Sequence, residues 1–96
     1  MKNVAHIKEL LAGKKQALFK NYAIKSLAIF GSYSRNEQNS LSDVDLLVEF
    51  NKKIGIEFID LADELEEIIG TKVDLVSING IKKKYFQSIS SDLIYV

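Results

Sequence analysis

Apolar residues at the start of the chain fall at Val4, Ile7, Leu10, Leu11, Leu18 and Phe19, with lysines between them. This spacing predicts an amphipathic helix from Val4 to Phe19, weakened in its middle by Gly13. A short apolar run then predicts a strand over Ser26–Phe30 that stops at Gly31-Ser32. Ser34–Gln38 predicts a short helical turn, and the polar stretch Asn36–Ser42 a loop. Val44–Phe50 reads as a second strand and Lys52–Gly55 as a turn. The clearest helix runs from Glu57 to Ile69. Phe58, Leu61, Ala62, Leu65, Ile68 and Ile69 make one face, and Asp60, Asp63, Glu64, Glu66 and Glu67 largely make the other. Gly70 follows as its C-terminal cap. Val73–Val76 predicts a third strand, Asn79-Gly80 a turn, Ile81–Ile89 a last helix and Leu93–Val96 a short terminal strand.

Helix, strand, strand, helix, strand, helix is the order of an α+β (α/β) fold. The expectation is a small mixed β-sheet of three to four strands with helices packed on one face. The link between the first two strands is too short for a crossover helix, so that pair should be antiparallel. The second and third strands flank a helix and can pair in parallel. A length of 96 residues predicts a single domain over 1–96.

The chemistry concentrates in one stretch: Gly31-Ser32, ten intervening residues, then Asp43-Val44-Asp45. Residues two apart in an extended segment point to the same side. Two carboxylates on one side repel each other unless a cation lies between them. A hard divalent ion such as magnesium, with phosphate oxygens completing its shell, suits that arrangement. A third acid, Asp74, stands inside the apolar strand Val73–Val76, where aspartate is out of place. If the second and third strands are neighbours, Asp74 converges on the pair. Three carboxylates around one or two magnesium ions serve phosphoryl and nucleotidyl transfer. Gly31 permits a sharp turn and close approach to a ligand, and free amides after Ser32 can hold phosphate. Each part also has a plain structural reading: loop-end aspartates, a strand with its polar side in water, a strand-ending glycine before a helix cap. The combination is far more specific than any part.

Composition narrows the picture by exclusion. Thirteen basic residues balance thirteen acidic ones, which argues against a dedicated nucleic-acid-binding domain. No cysteine is present, so disulfides, thiolate nucleophiles and cysteine-bound zinc are excluded. No apolar stretch is long enough to span a bilayer and no signal-peptide core follows Met1, so the expected compartment is the cytoplasm. His6, alone on a lysine-rich helix, and the Lys82-Lys83-Lys84 run read as surface; Tyr33 reads as a packing residue or a base-stacking one.

The stretch Phe30–Arg35 through Ser42–Val48 resembles the polymerase β-type nucleotidyltransferase superfamily, and within it the minimal, MNT-type (MntA-like) members. The resemblance continues through Val73–Val76 and ends in Ile94-Tyr95-Val96. Family members more often carry alanine and glycine where this chain has Ser34 and Asn36. The resemblance implies a magnesium-dependent transfer of AMP from ATP to a tyrosine of a HEPN-type ribonuclease toxin, with this chain as the antitoxin in a hetero-oligomer. Asp43, Asp45 and Asp74 would then be the catalytic and metal-binding residues, and Gly31 and Ser32 would hold the nucleotide phosphates. Arg35, the only arginine and just past that turn, reads as a further nucleotide-binding residue or as a solvated side chain. Neither a membrane nor direct nucleic-acid binding is implied. Two other classes stay open: a binding module that neutralises the toxin without catalysis, and an enzyme modifying a small molecule such as an antibiotic.

Overall fold

The computed structural model describes residues 2–96. Helices α1 (Val4–Ala12) and α2 (Lys15–Asn21) lead into strand β1 (Ile24–Phe30). Strand β2 (Val44–Phe50), helix α3 (Glu57–Ile69) and strand β3 (Val73–Ser77) follow. A 3-10 turn over Ile78–Gly80, helix α4 (Lys83–Ile89), a second 3-10 turn over Ser90–Asp92 and strand β4 (Ile94–Tyr95) complete the order.

The four strands form one mixed sheet in the order β3-β2-β1-β4. The β1–β2 pair is antiparallel and the β2–β3 pair parallel, both as connection length predicted. Alternation divides the sheet into two faces. Leu27 and Ile29 of β1, Val44, Leu46, Val48 and Phe50 of β2, and Val73 of β3 join the main core with Ile7, Leu11, Leu18, Leu61, Leu65 and Ile69. Helices α1, α2 and α3 therefore lie on this face, whereas α4 lies on the other, so the helices are not all on one face as the sequence suggested. The opposite face carries a smaller cluster, Phe30 and Leu47 against Ile89, flanked by Val76, Phe86 and Leu93. Helix α4 covers only this part and leaves the rest of that face open for polar residues.

Several boundaries differ from the sequence expectation: α4 starts at Lys83 rather than Ile81, β3 runs to Ser77 and β4 spans only Ile94–Tyr95. The first helix is two helices: Gly13 caps α1, and the Lys14 N–H bonds to the Leu11 oxygen in a tightened last turn. Leu11 of α1 and Leu18 of α2 are both buried in the core on either side of the break. Strand β1 starts at Ile24 rather than Ser26 because a bulge lies between Ile24 and Ser26. The extra residue rephases the alternation, so Ile24 and Leu27 share a face although they are three apart.

Helix α3 has the bounds that its periodicity predicts, and Gly70 ends it at φ +75° with its N–H on the Glu66 oxygen at 2.7 Å. A Cβ there would meet only the flexible end of Lys2, at 3.6 Å, so the cost of a side chain is the left-handed backbone alone. Gly70→Ala should lower stability by about 1–2 kcal/mol in urea unfolding, with an unchanged m-value.

Candidate active site

Strand β2 places the site. Asp45 lies at its start, flanked by Val44 and Leu46, both of which are buried in the main core. Alternation therefore turns Asp45 to the opposite face, beside Phe30 of β1, its cross-strand partner. The parallel register then aligns Val44 with Val73, Asp45 with Asp74 and Leu47 with Val76. Asp45 and Asp74 are thus direct neighbours on one face, with backbones about 4.8 Å apart. Asp43 precedes the strand on the same side and is exposed, as is Asp74. Asp45, half-buried between them, bears the electrostatic consequence. Burial, then the charges of Asp74 and Asp43, push its carboxyl up to about 6, against a smaller opposing pull from Arg35.

The three acids lie at one end of the sheet, with Asp45 close enough to Asp74 and Asp43 to feel both charges. Among the described residues, no three acidic, histidine or cysteine side chains form a ready-made ion cage. The donor set still fits magnesium, which prefers oxygen ligands and keeps several waters or phosphate oxygens rather than an all-protein cage. Asp43, Asp45 and Asp74 would supply part of such a shell. The raised Asp45 carboxyl marks where added positive charge is welcome.

The turn at Gly31 abuts this carboxylate. Gly31 adopts φ +75°, and a Cβ on it would overlap the Asp45 carboxylate, lying 3.0 Å from its Cγ. Glycine is required twice over here, by backbone conformation and by space. The chain then winds through one irregular helical turn: the Arg35 N–H reaches the Gly31 oxygen at 3.2 Å, and the Glu37 N–H the Ser32 oxygen at 2.8 Å. The Ser34 hydroxyl also donates to the Gly31 oxygen, at 2.9 Å. Among the described residues, nothing accepts from the N–H groups of Ser32, Tyr33 and Ser34. Three free amides opening a turn beside a carboxylate cluster can hold the phosphates of a metal-bound nucleotide. The turn closes at Asn36, φ +57°, a left-handed conformation that asparagine tolerates.

Other sequence-predicted residues divide. Tyr33 is buried in the main core, which favours packing over base stacking. His6 is exposed, and its N–H caps onto the Asn3 side chain at 2.9 Å. Lys82, Lys83 and Lys84 are solvated. Arg35 lies on the turn, but two carboxylates hold its guanidinium: Nε donates to Glu37 Oε1 and Nη1 to Asp92 Oδ2, each at 2.9 Å. Sequence reasoning missed Asp92. Nothing in a Ser-Ser-Asp segment 57 residues from Arg35 signals the contact, which exists only because β4 folds back along β1.

Comparison with known proteins agrees with this geometry. Residues 14–95 match the family model "Polymerase beta, Nucleotidyltransferase". A relative from Methanocaldococcus jannaschii, provisionally named a protein adenylyltransferase, is 48% identical over 98 residues, covering all of both chains. Protein adenylyltransferase MntA of Thermococcus cleftensis is 32% identical over 97 residues, covering 100% of this chain and 98% of its own. Among solved structures, a tri-AMPylated HEPN toxin in complex with its MNT antitoxin, from Shewanella oneidensis, aligns with a TM-score of 0.66. That alignment has 21% identity and covers 92% of this chain and 70% of the other, a likeness of fold.

Two outcomes test the site. Gly31→Ala should cost about 1–3 kcal/mol of stability through its strained backbone. It should also abolish nucleotide binding by displacing the Asp45 carboxylate, as calorimetry would register. The second concerns pH. Between about pH 4 and pH 6, folded Asp45 keeps a proton that the unfolded chain has released, so the metal-free fold loses stability as pH rises through that window. Asp45→Asn should therefore melt a few degrees above wild type at pH 7.5 without metal, with the gap closing below pH 4. A variant that melts lower at pH 7.5 would contradict the electrostatic account.

Proposed function

The chain belongs to the polymerase β nucleotidyltransferase family, and from that premise we propose that it is a magnesium-dependent protein adenylyltransferase acting on a HEPN-type toxin. On this reading it transfers AMP from ATP to a tyrosine hydroxyl of the toxin and so serves as its antitoxin. The observation that carries the reading is the in-register pair Asp45 and Asp74 beside the Gly31 turn. The names of the full-length relatives support the adenylyl donor, and the Shewanella complex supports the partner.

The residues take the following parts. The free amides after Gly31 and the Ser32 hydroxyl bind the β- and γ-phosphates. Asp43 and Asp45 hold the metal-nucleotide and turn the α-phosphorus toward the incoming acceptor. Asp74, exposed at the sheet edge, stands where the acceptor arrives and takes up its hydroxyl proton. The tyrosine oxygen bonds to the α-phosphorus as the bond to pyrophosphate breaks, in line. When bound, magnesium offsets the charge that develops on the departing pyrophosphate. Asp43 and Asp74 are exposed, which favours a protein surface as the group that closes the site and excludes water.

The test is intact-mass measurement on the chain, its genomic-neighbour toxin, ATP and magnesium. The toxin should gain one or more AMP units. An inhibited toxin of unchanged mass would replace this reading with neutralisation by binding alone. Asp43→Ala and Asp45→Ala should each slow transfer by about 100-fold or more while the fold persists, since each removes several kcal/mol of transition-state stabilisation.

A further inference from the structure

We propose that Asp92 is a positioning residue for the nucleotide: it holds Arg35 so that the free edge of its guanidinium faces the phosphate-binding turn. The inference rests on the reading above that this turn takes the phosphates of ATP. Arg35 starts on the turn, since its own N–H bonds to the Gly31 oxygen. An unrestrained arginine side chain there would sample many rotamers, and ordering one costs up to about 2 kcal/mol.

Two carboxylates order it in advance, and they differ in kind. Glu37 lies two residues along the same loop, its side chain 63% exposed, and it moves with the turn it would brace. Asp92 comes from the far end of the chain and is 23% exposed. Its segment is fixed from outside: Ile89 and Leu93 pack on Phe30 and Leu47, and β4 pairs with β1. The pair therefore ties the turn to the sheet through an external frame. Nε and Nη1 are used by the two acids, and Nη2 makes no hydrogen bond among the described residues. Two donors remain on that nitrogen for an anion.

Calorimetric titration with magnesium and a non-hydrolysable ATP analogue, well below the melting temperature, tests this. Asp92→Asn should weaken binding about 3- to 10-fold, and Asp92→Glu should restore much of the loss. Arg35→Lys should weaken it comparably, because an ammonium cannot bridge two carboxylates and a phosphate. The double variant should bind no worse than Arg35→Lys alone, since Asp92 acts only through Arg35. A purely structural role would lower the melting temperature of Asp92→Asn while leaving its affinity at the wild-type value, and that result would overturn the proposal. So would a double variant whose loss equals the product of the two single losses. Wild-type protein that binds no nucleotide would overturn both this proposal and the adenylyltransferase reading. Wild type that binds nucleotide but transfers nothing would overturn only the latter.

Discussion

The molecule depends on one register. Parallel pairing of β2 with β3 aligns Asp45 with Asp74, and the same pairing aligns Val44 with Val73 on the other side of the sheet. Burial of the two valines in the main core makes the alignment favourable, and the juxtaposed acids make it costly. A slip of one residue would turn the aspartates into the core and the valines into water, which no balance of terms permits. The hydrophobic face thus enforces an electrostatic conflict on the opposite face, one that a bound cation would relieve on the proposed reading.

Division of labour between the two faces follows. Helices α1, α2 and α3 cover one face completely with apolar contacts. The small layer of α4 covers the other only as far as Leu47 and Val76. Beyond that limit the sheet presents Asp45 and Asp74, with Asp43 beside them. Strand β1 ends in the same place, and its last residue hands the chain to Gly31, whose missing side chain leaves room for the Asp45 carboxylate. Candidate site residues from three separate segments meet because three adjacent strands begin or end there. A rigid sheet positions them more tightly than loops would.

Much of this was legible in the chain itself. Helix α3 and strand β2 show their true bounds in their periodicity, since each is long, strongly patterned and bounded by turn residues. The Gly-Ser and Asp-x-Asp pattern marked Gly31, Ser32, Asp43 and Asp45, and the misplaced acid in an apolar strand marked Asp74. The limits are equally specific. The bulge after Ile24 interrupts the period of two, so the first strand reads too short. The break at Gly13 depends on how two helices lie against a twisted sheet. The role of Tyr33 depended on which side of the turn the core lies.

Local pattern and residue chemistry alone determined the kinds of element, their order and the identity of the acids, because periodicity and side-chain type are properties of neighbouring residues. Tertiary structure decided that Asp74 stands beside Asp45, that Gly31 lies against the Asp45 carboxylate, and that Arg35 is held by Asp92. Each of these joins residues far apart in the chain. Such contacts follow from strand order and register, which only the burial of the whole core selects.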